Sequence, residues 1–150
     1  PGELMVVKDH INFSFNNPLM GPNDAEFGDR FFPMETAYDP DLVKRCCAAA
    51  DKLNIPIQQG VYLGVLGPNF ETPAEIKMSQ IMGASAVGMS TVPEVILARH
   101  IGMRVAALSI ITNLAAGMSE VKLSHEQTMT MAAKAADDVQ GLLTDFLSNY

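Results

Sequence analysis

This chain has very little of what holds small secreted or metal-bound folds together. Its 150 residues include two cysteines, Cys46 and Cys47, and they are adjacent. Neighbouring thiols suit neither a disulfide framework nor a metal knuckle, so both read as buried or half-buried thiols on a helix. Cysteines used this way point to a reducing, cytoplasmic compartment. The three histidines, His10, His100 and His125, show no metal-ligand spacing, and no metal is expected. Basic runs are missing, and the net charge is −7. That excludes nucleic-acid binding through phosphate neutralisation, but a small anion held by backbone N–H groups stays possible. No uninterrupted apolar stretch reaches membrane-spanning length, so no membrane partner is expected. The opening Pro-Gly-Glu-Leu has no signal-peptide pattern. There is no low-complexity segment and no internal repeat. The chain lacks an initiator Met and opens almost directly into an apolar strand, so the expectation is a piece of a longer protein.

What is present is a folding sequence. Hydrophobic residues make up 48% of the chain, enough for one domain with a substantial core. Residues 4–7 (LMVV) read as a short buried strand, and residues 9–36 as a long polar loop of the functional or interface kind. Asp39-Pro40 starts a helix, with Asp39 as N-cap and Pro40 at the first helical position. Residues 61–66 form the next strand. Thr72-Pro-Ala-Glu75 is a capping box whose helix stops near Gly83. A short strand over 84–88 precedes a second box, Thr91-Val-Pro-Glu94. Residues 104–111 are β-branched and apolar, and read as a central strand. A third box, Ser124-His-Glu-Gln127, opens one helix towards the C-terminus. Strands alternating with helices predict an α/β fold, a largely parallel or mixed twisted sheet flanked by helices.

Three apolar runs end in small polar residues, the pattern of strand carboxyl ends where α/β ligands bind. They deliver Phe70, Glu71, Met89, Ser90, Thr112 and Asn113. Glu71 reads either as a carboxylate favouring a helix dipole or as an acceptor facing a flat heterocycle that Phe70 stacks on. Asn113 is either a turn residue or an amide that donates and accepts at one edge of a ring. Met89 and Ser90 precede a helix start, where a hydroxyl and free amides make either a simple cap or an anion site. His125, in the first turn of the last helix, is a surface residue or a polar contact. The aromatics of Phe27-Gly-Asp-Arg30-Phe31-Phe32 suggest a lid or a subunit contact.

Taken in series, these strings closely resemble the trimeric purine nucleoside phosphorylases. The resemblance is carried by Asp9-His-Ile-Asn12, Asn17-Pro-Leu19, Gly21-Pro-Asn-Asp24, Phe27-Gly-Asp-Arg30-Phe31, Gly67-Pro-Asn-Phe-Glu-Thr72, Gly88-Met-Ser-Thr-Val-Pro-Glu-Val95, Ala98-Arg-His100 and Ile111-Thr-Asn113. It covers essentially the whole chain, in order. It implies a nucleoside phosphorylase-like fold and reversible phosphorolysis of inosine and guanosine, with inorganic phosphate as co-substrate and no cofactor. By the same resemblance Glu71 accepts from the base at N1–H, Asn113 meets N7 and O6, and Phe70 packs on the ring. Thr112 lines the pocket beside Asn113, Met89 lines the sugar site, Ser90 contacts phosphate and His125 addresses the 5′-hydroxyl. Phe31 would reach the neighbouring subunit of a homotrimer. Asn rather than Asp at position 113 goes with 6-oxopurines.

The family's other phosphate-binding residues precede the stretch that matches here. Residues 1–150 are therefore expected to be the C-terminal portion of a single α/β phosphorylase domain, inactive alone. Leu114-Ala-Ala-Gly117 is smaller and more apolar than the family often shows. Competing readings are a methylthioadenosine phosphorylase, a nucleosidase using water, and a non-catalytic nucleoside-binding fragment. Asn113 and His125 argue against the first, because a 5′-methylthio group accepts no useful hydrogen bond.

Overall fold

A computed structural model describes residues 1–120 and 123–149. Four strands alternate with helices: β1 (Leu4–Asn12), α1 (Pro40–Leu53), β2 (Ile57–Gly64), α2 (Pro73–Ile81), β3 (Ala86–Gly88), α3 (Val92–His100), β4 (Ala107–Ile110), α4 (His125–Lys134) and α5 (Ala136–Ser148). The expected α/β class holds. The sheet order is β3-β2-β1-β4, with β1, β2 and β3 parallel and β4 antiparallel to β1.

β1 is the strand on which the core is built. Leu4, Met5, Val6 and Val7 are all at most 2% exposed. Met5 and Val7 face a cluster with Tyr38, Tyr62, Val92, Val95 and Ile96. Leu4 and Val6 face Cys46, Ala50, Ala135 and Leu142 on the other side. Burial on both faces explains four consecutive apolar residues in place of an alternating pattern. Beyond a register shift between Val7 and Asp9 the strand continues beside β2 to Asn12. The segment 9–12, read from sequence as loop, is therefore strand.

The helix starts follow their local chemistry. Asp39 accepts from the Asp41 and Leu42 N–H groups at 3.0 and 3.1 Å, with Pro40 at the first position. Arg104 grips the same carboxylate in a fork, Nε at 2.6 Å and Nη2 at 2.8 Å, tying α1 to the approach to β4. That guanidinium, reinforced by the two backbone N–H groups, holds the Asp39 carboxyl well below the usual carboxylate range. The Thr72 capping box is complete: Glu75 N–H donates to Thr72 Oγ1 at 3.3 Å, and Thr72 N–H donates to Glu75 Oε2 at 2.7 Å.

Three local expectations need correction. Residues 104–111 were expected to form a central strand; β4 is a four-residue antiparallel edge strand, half-buried along its length. Thr91 makes no side-chain cap bond, because its φ of 72° turns it out of the extended geometry a cap requires. The C-terminal helix is two helices, α4 and α5, meeting at Ala135, which is 1% exposed.

Candidate functional site

The parallel strands β2 and β3 deliver their carboxyl ends to one edge of the sheet, so the loops carrying Glu71 and Met89-Ser90 start side by side. Gly64 is the register partner of Gly88, and Val65 N–H donates to Gly88 O at 2.9 Å. β4 runs the other way. Its last residue, Ile110, pairs with Leu4 at the amino end of β1, so Thr112 and Asn113 leave the sheet at the opposite end. Parallel strand ends therefore do not by themselves bring Asn113 towards Glu71. The return loop instead brings Gly117 to the start of α2.

That loop climbs along α2. Gln80 Nε2 donates to Met118 Sδ at 3.6 Å. Higher up, Gly117 lies against Pro73, where an added Cβ would come within 2.8 Å of the proline Cβ. Bare backbone is required at that contact. Pro73 is two residues past Glu71, and Gly117 four past Asn113. The loops that carry the two candidate side chains therefore meet at the start of α2.

Two cavities of about 210 Å³ each flank this helix. One is lined by Thr112, Asn113, Leu114, Ser79, Gln80 and Val87, among others. The other is lined by Glu71, Phe13, Phe15, Val65 and Met78. Buried Ser79 belongs to both walls. A third, smaller cavity holds Met89 and Ser90 and shares Val65 with the Glu71 cavity. The cavities of Thr112 and Asn113, of Glu71, and of Met89 and Ser90 thus adjoin one another at Ser79 and Val65.

The Asn113 amide is pre-oriented. Its Oδ1 accepts from Ala115 N–H at 2.9 Å, an Asx turn, and its Nδ2 donates to Thr112 Oγ1 at 3.1 Å. One N–H of the amide is left for another partner. Glu71 is half-buried, and no hydrogen bond or ion pair to its carboxylate occurs among the described residues. A half-buried carboxylate and a fixed amide donor are the kinds of group that hold a planar ring through its edges.

Other candidates lie further out. Phe70 is 41% exposed beside Glu71. His125 is exposed at the first position of α4, and none of these cavities includes it. Phe31 is 88% exposed and lies against Arg30, whose guanidinium carbon is 5.9 Å from its ring centre. It lines a separate cavity with His10, Asn12 and Met34, and does not join the others within this chain.

Sequence reasoning missed Phe13 and Phe15. Their rings lie 4.8 Å apart in the wall of the Glu71 cavity, and Phe15 is 83% exposed with φ 55°. The same signal, aromatics in a polar loop, stands in Asn12-Phe-Ser-Phe15 as at positions 27–32. Tyr62 was also missed, hidden inside an apolar run.

The profile of the phosphorylase superfamily matches residues 1–148. Purine nucleoside phosphorylase 1 of Bacillus subtilis is 50% identical over 149 residues, covering 99% of this chain and 55% of that protein. The solved structure of Schistosoma mansoni purine nucleoside phosphorylase in complex with inosine is 39% identical with a TM-score of 0.94, over 99% of this chain and 55% of that one. The same enzyme in complex with adenosine gives 39% identity and a TM-score of 0.93, over 97% and 55%. The chain spans about half the length of these relatives.

Proposed function

The chain belongs to the phosphorylase superfamily, and from that premise we propose that it is the C-terminal portion of a single α/β domain of a purine nucleoside phosphorylase. In this reading the enzyme cleaves 6-oxopurine nucleosides, inosine and guanosine, with inorganic phosphate, giving free base and ribose 1-phosphate. The intact protein is a cytoplasmic homotrimer, and Phe31 reaches the neighbouring subunit's site. Residues 1–150 hold the base and part of the sugar site, and the relatives' remaining half completes the phosphate site.

The observation that carries this reading is the pair of neighbouring cavities beside α2, one lined by Glu71, whose carboxylate has no hydrogen bond or ion pair among the described residues, the other by Asn113, whose amide is fixed by its own loop. Glu71 accepts from N1–H of the base, and from the 2-amino group of guanine. Asn113 addresses N7 and O6, with Thr112 holding its amide in place. Phe70 covers the ring, Met89 lines the sugar, Ser90 meets phosphate, and His125 swings to the 5′-hydroxyl. Cleavage of the glycosidic bond leaves an oxocarbenium-like sugar and sends electrons onto the purine. The Asn113 N–H binds the departing base more strongly as negative charge grows there, which lowers the barrier. Phosphate attacks the anomeric carbon and balances its charge.

The test is titration of hypoxanthine into the chain by calorimetry, beside phosphorolysis assays on the intact protein that contains it. Binding that is lost in Glu71→Gln and Asn113→Ala, with turnover only in the intact protein, is the expected result. Unchanged binding in both variants would overturn the assignment.

A further inference from the structure

Tyr62 sits in the middle of β2, 4% exposed, inside a cluster that is otherwise mostly aliphatic. Its ring packs as a phenylalanine would, so the hydroxyl needs a reason. The oxygen lies 3.3 Å from Ser90 N and 3.4 Å from Ser90 Oγ. These bonds are at the long end of the normal range, but their directions are fixed by chemistry. Ser90 N–H can only donate, so it takes a lone pair of the phenol. The phenol's single proton is then free to go to Ser90 Oγ. With its acceptor side engaged, the serine hydroxyl keeps its own proton for an outside acceptor or for Thr91 Oγ1, 3.2 Å away.

The surrounding backbone is shaped to this contact. A Cβ at position 88 would stand 2.1 Å from the Tyr62 hydroxyl oxygen, so only glycine lets the phenol reach the turn. Thr91 has φ 72°, an expensive conformation for a β-branched residue, and Val92 N–H closes the turn onto Ser90 O at 2.7 Å. The strained turn holds Ser90 at the rim of the small cavity it shares with Met89, Gly64 and Ser14.

We propose that Tyr62 is a positioning residue for phosphate: it orients the Ser90 hydroxyl so that the serine proton points at the incoming anion. This rests on the reading of Ser90 as a phosphate contact. The phenol does not touch substrate; it acts through Ser90 alone.

The experiment is steady-state kinetics on the intact phosphorylase containing this chain, with phosphate and nucleoside varied separately. Tyr62→Phe keeps the packing and removes the hydroxyl. It is expected to raise KM for phosphate about tenfold and to change KM for the nucleoside less than about twofold, as loss of one hydrogen bond would. Ser90→Ala gives the same split, and Tyr62→Phe adds nothing further in the Ser90→Ala background. If Ser90→Ala leaves the phosphate KM unchanged, the reading of Ser90 itself fails. If Ser90→Ala raises it and Tyr62→Phe does not, the role given to Tyr62 is wrong. A fall in both affinities alike, or additivity in the double variant, would reduce Tyr62 to packing and overturn the proposal. Gly88→Ala is the second variant. It keeps the phenol but displaces it from Ser90, and it must give the phosphate-selective rise; should Tyr62→Phe fail to fold, this variant decides.

Discussion

Replacement of Asn113 by Asp tests the base-recognition reading most directly, because the structure separates what the change keeps from what it removes. The Ala115 N–H that now donates to Asn113 Oδ1 at 2.9 Å finds the same acceptor in a carboxylate. Thr112 Oγ1, which now accepts from Nδ2 at 3.1 Å, can turn its own proton to the new oxygen. The turn therefore survives, and stability should change little. What disappears is the amide's second N–H, the donor assigned to a 6-oxopurine. Removing one preorganised donor to a charge that develops in the transition state costs roughly 2.7–4 kcal/mol, or about 100- to 1,000-fold in turnover. A 6-aminopurine instead gains an acceptor for its amino group, worth about 1 kcal/mol, or roughly fivefold. The ratio of kcat/KM for inosine to that for adenosine should then fall by about 500-fold or more. The assay is competing phosphorolysis of the two nucleosides by the intact enzyme, with product bases separated by chromatography. A change in the ratio under about tenfold, or an equal loss for both nucleosides, would show that Asn113 holds its loop and does not read the base.

Three further outcomes are expected. Burial lowers the pKa of His10 below its ordinary 6.5, with Asp9 opposing, while its Nδ1 lies 3.0 Å from the Tyr38 hydroxyl. The unfolded chain therefore binds the extra proton first. This contribution to stability is complete above 6.5 and is lost as pH falls through the lowered value, so Tm should drop on acidification with a shallower slope in His10→Gln. Burial, then the neighbouring Cys47, pushes the Cys46 thiol up to about 11. Iodoacetamide at mildly alkaline pH should leave Cys46 unlabelled in the native protein and label it in denaturant, as read by mass spectrometry; rapid native labelling would contradict its place on the buried face of α1. Leu142 is fully buried where α5 meets α1 and β1, so Leu142→Ala should cost about 2–5 kcal/mol in urea unfolding. A loss under about 1 kcal/mol would mean that α5 is not held by that contact.

Much of this was legible in the sequence because local chemistry decided it. Asp39-Pro40 and Thr72-Pro-Ala-Glu75 are complete helix-start signals, and both helices begin there. Four buried residues in a row at the start of β1 announced a strand covered on both faces. Tertiary geometry was not legible in the same way. The apolar run before Thr112 says strand but not direction, and only the pairing with β1 makes β4 antiparallel and peripheral. Thr91 and Glu94 have the residue types of a capping box, but the strained turn beside Tyr62 takes the threonine out of it. Of the candidate site, the polar residues could be named in advance because each follows an apolar run. The contact between their loops, Gly117 on Pro73, could not: the proline reads as a helix start and the glycine as loop, and neither residue type names the other as its partner.

That contact also decides how near two loops can come. A pyrrolidine ring against naked main chain has no long side chain that could rearrange, so any group larger than hydrogen at position 117 has to push the chain after β4 off the start of α2. Two residues without a polar atom in their side chains thereby set the spacing of backbone beside cavities whose linings are polar.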